Sequence, residues 1–302
     1  MSISNLRIQH RYFFHFITIS MIVILSGCQT DKSSTTQKDL TEQLAAGADI
    51  ETIAEHLIEV RKTVGITRAL AIHYPNLEKE EAYQIQMLML SKLEKQGERL
   101  VGWKMGGAGV NDFNPLFGFM LASNEVQSGN TASSAKFVEG GPLIEAEVGF
   151  VIKKDLPGPV TTRDELIEAI EGVGGFSELI SIRTLDAQGG KDATPAHFIA
   201  DGLSHGGFIQ PQQTFSLEEF DYKNEGARVE INGEIISTGN SKKYSLLDAV
   251  LFLANTLPKY GLHLHAGDIV ITGSILDAPP ANAGDEVEII FTNFDLLKIK
   301  FE

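Results

Sequence analysis

The run Leu143-Ile144-Glu145-Ala146-Glu147-Val148-Gly149-Phe150-Val151-Ile152 decides how this chain is read. All but two of its residues are apolar or glycine, and Val, Ile and Phe favour a pleated surface, so it reads as a strand buried on both faces. Side chains alternate along a strand. Ile144, Ala146, Val148 and Phe150 therefore share one face, while Leu143, Glu145, Glu147, Gly149 and Val151 share the other. Both carboxylates point the same way. A half-exposed strand is polar along its whole outer face, yet this face continues through Leu143, Gly149 and Val151, so the pair is at least partly enclosed. Two like charges held a few ångströms apart out of water need a cation or a proton to offset them. Hard oxygen donors in that arrangement suit Mg²⁺ or Mn²⁺. An edge strand whose glutamates face water is the other reading of the same residues.

Other charged residues interrupt apolar runs in the same manner. Glu178 lies in Phe176-Ser177-Glu178-Leu179-Ile180-Ser181-Ile182 and is a candidate third oxygen ligand. Lys104 follows Val101-Gly102-Trp103 just before Gly106-Gly107; its ammonium either serves a site or reaches solvent past Trp103. Arg183 closes the segment of Glu178, and Asp201 lies in Phe198-Ile199-Ala200-Asp201-Gly202. These two read equally as an ion pair or as substrate contacts. His263 and His265, beside a turn before Gly267, read as surface or packing residues, whereas His205 in Ser204-His205-Gly206-Gly207 admits either role. Familiar phosphate and nucleophile signals are missing. Neither Gly106-Gly107-Ala108-Gly109 nor Gly189-Gly190-Lys191-Asp192 has the ending of a phosphate loop or the spacing of a dinucleotide fingerprint, and no Gly-x-Ser-x-Gly elbow occurs.

Outward from these residues the chain divides by pattern. Arg7 and Arg11 precede an apolar stretch over 13–25 that is shorter than the roughly 20 residues of a membrane-spanning helix, and Leu25-Ser26-Gly27-Cys28 follows. This is a secretory signal pattern whose ending resembles a bacterial lipobox. Residues 1–27 are then a lipoprotein signal peptide, with lipid attached at Cys28 and an expected place on the outer membrane facing the periplasm. An uncleaved anchor is the alternative. Palmitate labelling that survives Cys28→Ala would exclude lipidation there. Residues 28–40 read as a polar tether, 41–98 as a helical N-terminal part and 99–302 as a β-rich catalytic domain. Cys28 is the only cysteine, which excludes disulfides within the chain and thiolate zinc sites. The formal charge of −15 becomes −17 once residues 1–27 and their two arginines are removed. Such a body repels nucleic acid and anionic lipid, leaving the N-terminal lipid as the expected membrane contact.

Periodicity predicts helices over 50–60 and 77–95. A strand is expected over 100–105, then the glutamate strand to residue 153. A crossover helix starts at Thr162, where Glu165 completes a capping box and Leu166, Ile167 and Ile170 turn to the core. Strands are predicted over 176–182 and 206–210, with a hairpin around Asn232-Gly233. A helix over 245–259 and strands over 268–272, 286–292 and 296–301 complete an α+β chain.

In this order the chain carries Glu80-Glu-Ala-Tyr-Gln-Ile-Gln86, Val101-Gly-Trp-Lys-Met-Gly106, Pro115-Leu-Phe-Gly118, Ile144-Glu-Ala-Glu147, Glu178 with Arg183 and Asp186, Ala200-Asp201, Gly267-Asp-Ile-Val-Ile-Thr-Gly273 and Asn282-Ala-Gly-Asp285. From about residue 45 onward the chain thus resembles the 2-keto-4-pentenoate hydratases and 4-oxalocrotonate decarboxylases of the fumarylacetoacetate hydrolase superfamily. That resemblance implies a small helical part followed by a mixed β-sheet roll or sandwich, and self-association into homo-oligomers. It implies Glu145, Glu147 and Glu178 as ligands of Mg²⁺ or Mn²⁺ and Lys104 as the active-site lysine. Arg183, Asp201 and Thr272 are implied as substrate contacts. The implied activity is that of a metal-dependent lyase on a small unsaturated 2-oxo acid. Three positions depart from the family: Leu116 stands where hydratases carry an acid, Ile182 replaces the serine before the arginine, and Gly202 replaces the asparagine after Ala-Asp. These departures keep two alternatives open, a non-catalytic envelope protein that binds 2-oxo acids and an acylpyruvate hydrolase. The hydrolase needs a His–Glu pair, for which His73 is the one unplaced candidate.

Overall fold

The computed structural model describes residues 37–158 and 160–302. The signal segment, Cys28 and the tether up to residue 36 lie outside the described residues. From residue 37 the chain is already packed: Leu40 is fully buried, and residues 38–40 exchange backbone hydrogen bonds with Ile66, so the polar tether ends short of residue 40. Among the described residues no helix is long and apolar enough to cross a membrane.

Among the described residues six α-helices occur in chain order: α1 (Ile50–Lys62), α2 (Ala69–His73), α3 (Lys79–Lys95), α4 (Arg163–Ala169), α5 (Pro195–Ala200) and α6 (Leu246–Thr256). The strands are β1 (Leu100–Gly106), β2 (Leu116–Leu121), β3 (Thr131–Ala132), β4 (Leu143–Ile152), β5 (Ile170–Ile180), β6 (His205–Ile209), β7 (Gly226–Ile231), β8 (Glu234–Asn240), β9 (Ile269–Ser274), β10 (Glu286–Phe291) and β11 (Leu297–Phe301). They form a six-stranded sheet in the order β2-β1-β9-β4-β5-β6 and a five-stranded sheet in the order β3-β11-β10-β7-β8. In the first sheet β1 and β9 are parallel, and the remaining pairs are antiparallel. The result is the mixed two-sheet architecture with a helical N-terminal part that the sequence implies.

β4 lies inside the six-stranded sheet with one face wholly apolar and the other carrying the two glutamates. Ile144, Ala146, Val148, Phe150 and Ile152 are fully buried and join the large core shared with α3, α6 and the second sheet, where Val229, Val287, Ile289, Phe291 and Ile299 meet them. A fully buried Phe or Ile contributes about 1.5–3 kcal/mol over its exposed state, so this face fixes the register. α1 begins with Asp49 accepting from the Thr52 N–H, and α3 is tied down by Gln86, whose Nε2 donates to the carbonyls of Phe117 (3.1 Å) and Ile199 (2.7 Å).

Several expectations are corrected. The segment opening at Thr162 has its capping box, but β4 and β5 are antiparallel neighbours, so α4 links a hairpin rather than crossing over. Ile167 faces solvent at 41% exposure, while Leu166 and Ile170 are buried. β5 starts at Ile170, six residues before the predicted strand. β2, α2 and α5 were not predicted; Phe117, Phe119 and Leu121 alternate with Gly118 and Met120 over only six residues, too short a run to separate from a loop. The hairpin at Asn232-Gly233 stands as expected, both residues having positive φ as a two-residue turn requires.

Candidate functional site

The β4–β5 ladder places Glu145 directly opposite Glu178, with Glu147 two residues along the same face. One carboxylate oxygen from each lies within 4.8 Å of the others. Glu147 and Glu178 are fully buried, and Glu145 is half-buried at the rim. β9 supplies the fourth component through a bulge. Between its pairings with Gly149 and Glu147 it carries one residue more than β4, and Gly273 adopts φ 101° there, a conformation only glycine accepts without strain. The bulge turns the Gly273 N–H out of the ladder to donate to Glu147 Oε2 at 2.6 Å. The other oxygen, Glu147 Oε1, is buried and has no hydrogen-bond partner among the described residues.

Such a cluster is electrostatically incomplete. At an effective dielectric near 20, each carboxylate pair at this separation repels by roughly 3–4 kcal/mol. Burial pushes the Glu145 carboxyl up to about 7, with the neighbouring Glu178 adding to the rise. Glu147 is pushed well above its ordinary range by burial and then by Glu145 and Glu178, and burial also raises Glu178. One ammonium faces them. Lys104 Nζ lies 3.0 Å from Glu178 Oε2 and donates to the Leu203 carbonyl at 3.2 Å. Burial lowers the lysine pKa, but Glu178, Glu145 and Glu147 outweigh it, so the net shift is upward and the amine stays protonated. Lys104 therefore turns into the site rather than past Trp103 to solvent. An orphaned buried carboxylate oxygen in an all-oxygen donor set matches a hard divalent cation.

On the same face Met120, Phe176, Phe208, Ile269 and Ile271 form a second, smaller apolar cluster, flanked by Val101 and Val151. It keeps water from one side of the carboxylates and so strengthens every charge interaction there. At the other edge the half-buried Tyr244 has its phenol pKa raised by burial and then by Glu145. It is fixed by the β1–β2 connection, since Val110 N–H donates to the Lys243 carbonyl (2.8 Å) and Ser245 N–H to that of Ala108 (2.9 Å).

A second charged group lies beyond Glu178. Arg183 Nη2 is 2.9 Å from Asp201 Oδ2, and Arg61 Nη1 from α1 lies 3.5 Å from Asp201 Oδ1; all three side chains are largely buried. Arg183 and Arg61 thus both pair with Asp201, which matches the ion-pair reading of the sequence. Thr272 is fully buried and donates its hydroxyl to the Val148 carbonyl at 2.7 Å, replacing a ladder bond displaced by the bulge. His205 joins the two groups, its Nδ1 2.8 Å from Glu178 Oε1. His73 closes α2, half-buried.

Sequence reasoning therefore brings together Glu145, Glu147, Glu178 and Lys104, leaves His205 open, and misses Arg61 and the Gly273 N–H. His205 had a signal in its place just after Asp201. Arg61 had none, since a cation in the last turn of an amphipathic helix is ordinary.

The sequence pattern described as fumarylacetoacetate (FAA) hydrolase C-terminal matches residues 104–300. The chain is 30% identical to a 2-hydroxyhexa-2,4-dienoate hydratase of Comamonas testosteroni, over 83% of this chain and 97% of that one. It is 27% identical to a 4-oxalocrotonate decarboxylase of Pseudomonas sp. (strain CF600), over 82% and 95%. The solved structure of 4-oxalocrotonate decarboxylase from Pseudomonas putida G7 with magnesium and adipate is similar at a TM-score of 0.77 and 27% identity, covering 85% of this chain and all of that one. The same enzyme with calcium and acetate gives 0.76.

Proposed function

The chain belongs to the fumarylacetoacetate (FAA) hydrolase C-terminal family, and from that membership we propose that it is a divalent-metal-dependent lyase of a small unsaturated 2-oxo acid, adding water to it or removing CO₂ from it. The observation that carries this reading is the surplus of buried carboxylate: Glu145, Glu147 and Glu178 converge within 4.8 Å beside the Lys104 ammonium, and Glu147 Oε1 has no hydrogen-bond partner among the described residues. Glu145, Glu147 and Glu178 would hold Mg²⁺ or Mn²⁺. Such a cation, when bound, supplies Lewis-acid charge that favours the enolate character both reactions pass through.

The chain's own residues supply the rest. Lys104, kept protonated by the glutamates, is a donor for the substrate carboxylate or the developing enolate oxygen. The Gly273 N–H keeps Glu147 aimed by holding its other oxygen. The apolar cluster of Phe176, Phe208 and Ile271 excludes water from beneath the carboxylates. Leu116, half-buried at the start of β2, offers no acid or base where the family's hydratases carry one, and this favours loss of CO₂ over addition of water.

The test follows the ultraviolet absorbance of 2-hydroxypenta-2,4-dienoate and of 2-oxo-3-hexenedioate with Mg²⁺ or with chelator. Metal-dependent consumption is expected, and the substrate consumed selects hydration or decarboxylation. A folded, metal-binding protein that consumes neither would sink the lyase reading and leave a binding role.

A further inference from the structure

We propose that His205 is a positioning residue that fixes Glu178 for the metal, and that Arg61 and Arg183 hold His205 in place through the backbone of its turn. This rests on the metal-lyase reading above. A carboxylate ligand binds well only when its plane is fixed, and groups bonded to ligands commonly alter metal affinity about 10–100-fold. Glu178 is held at both oxygens, by Lys104 at Oε2 (3.0 Å) and by His205 Nδ1 at Oε1 (2.8 Å). An ionised carboxylate only accepts, so the proton belongs on Nδ1 of a neutral ring. Nε2 is then a bare lone pair, and it is buried with no partner among the described residues.

The turn that delivers His205 has bonds of its own, Leu203 N–H to the Phe198 carbonyl (2.7 Å) and His205 N–H to the Gly202 carbonyl (3.3 Å), but its backbone is strained. Gly202, Leu203 and Ser204 all adopt left-handed φ, of 66°, 54° and 58°, and two of them are not glycine. Strain of that kind persists only where surrounding contacts over-determine it. Here cations take its carbonyls: Arg61 Nη1 that of Asp201 (3.0 Å), Lys104 Nζ that of Leu203 (3.2 Å), and both Arg61 Nη2 (3.2 Å) and Arg183 Nη2 (3.0 Å) that of His205. Through Arg61, which also lies over the Phe119 ring at 5.2 Å, the helix α1 reaches the metal ligands.

The experiment measures Mn²⁺ dissociation constants of the full chain in detergent by electron paramagnetic resonance, for wild type, His205→Phe, His205→Asn and Arg61→Met. His205→Phe keeps ring volume and removes the donor, and should weaken Mn²⁺ about 10-fold or more. His205→Asn, which restores an N–H near Nδ1, should recover most of the loss, and Arg61→Met should weaken binding in the same direction. A folded His205→Phe or Arg61→Met that binds Mn²⁺ as wild type does overturns the proposal. Should the variants fail to fold, imidazole ¹⁵N chemical shifts of wild type decide it: a protonated Nδ1 and bare Nε2 support it, and the opposite tautomer overturns it. Wild type that binds no Mn²⁺ removes the metal-lyase reading itself, and this inference with it.

Discussion

Two buried charged groups lie side by side in this protein and are built on opposite principles. Around β4, three carboxylates face the Lys104 ammonium, and among the described residues Glu147 Oε1 has neither a hydrogen bond nor an ion-pair partner. Around the turn after α5, two guanidiniums close on one carboxylate and also donate to the backbone carbonyls of Asp201 and His205. Burial is expensive for both. In the second group the expense is offset within the chain, which suits a positioning part; in the first Lys104 offsets only a share of it, and the remaining carboxylate is what a divalent cation would take up under the proposed function. His205 is the joint between them.

Three measurements sharpen that contrast. The largest effect is expected where the satisfied group is broken. Asp201→Asn strips two buried guanidiniums of their counter-charge and should lower the unfolding free energy in urea by about 3–5 kcal/mol; a loss below about 1 kcal/mol would mean that the pair is far wetter than its burial indicates. The unsatisfied group should respond in the opposite sense. With chelator, Glu147→Gln removes a carboxyl that burial and its two neighbours force either to take up a proton or to bear repulsion, and should raise stability by something on the order of 1–3 kcal/mol. The stabilisation that wild type gains at a Mg²⁺ concentration about 100 times its dissociation constant, about 2.7 kcal/mol, should disappear. An undiminished Mg²⁺ shift in calorimetry would show that Glu147 is no ligand.

The smallest effect is a pH dependence on the satisfied side. His56 contacts the Thr67 hydroxyl (Nε2 to Oγ1, 2.9 Å), and the Thr67 N–H donates to the Arg183 carbonyl. Burial depresses the folded pKa of His56 below its ordinary 6.5. From about that pH down to the folded value the unfolded chain binds the extra proton, so stability falls as pH drops through this window. Urea unfolding with saturating Mg²⁺ at about pH 7.5 and about pH 5.5 should cost wild type up to about 1 kcal/mol more than it costs His56→Gln. Equal losses in the two proteins would remove His56 as a source.

Much of this was legible in the chain because strand periodicity is strict. Two glutamates at i and i+2 within an apolar run must share a face, so Glu145 and Glu147 could be paired before any fold was known. Glu178 and Lys104 were visible as charges that broke buried patterns. Elements with too few residues to show a period escaped: β2, α2 and α5 are six residues or shorter. Arg183 stands in the ion pair that was one of its two readings, and Thr272, a substrate contact by resemblance, donates to the Val148 carbonyl beside the β9 bulge.

By itself the sequence determined the α+β class, the strand of Glu145 and Glu147 and their shared face, because alternation and burial are local properties of the chain. Only the tertiary structure decided that Glu178 lies opposite Glu145 and that Gly273 leaves the ladder for Glu147. It alone brought Arg61 to His205, 144 positions away. Those contacts depend on ladder register, a one-residue bulge and the docking of a helix, and no residue's own propensity encodes a distance to another so far along the chain.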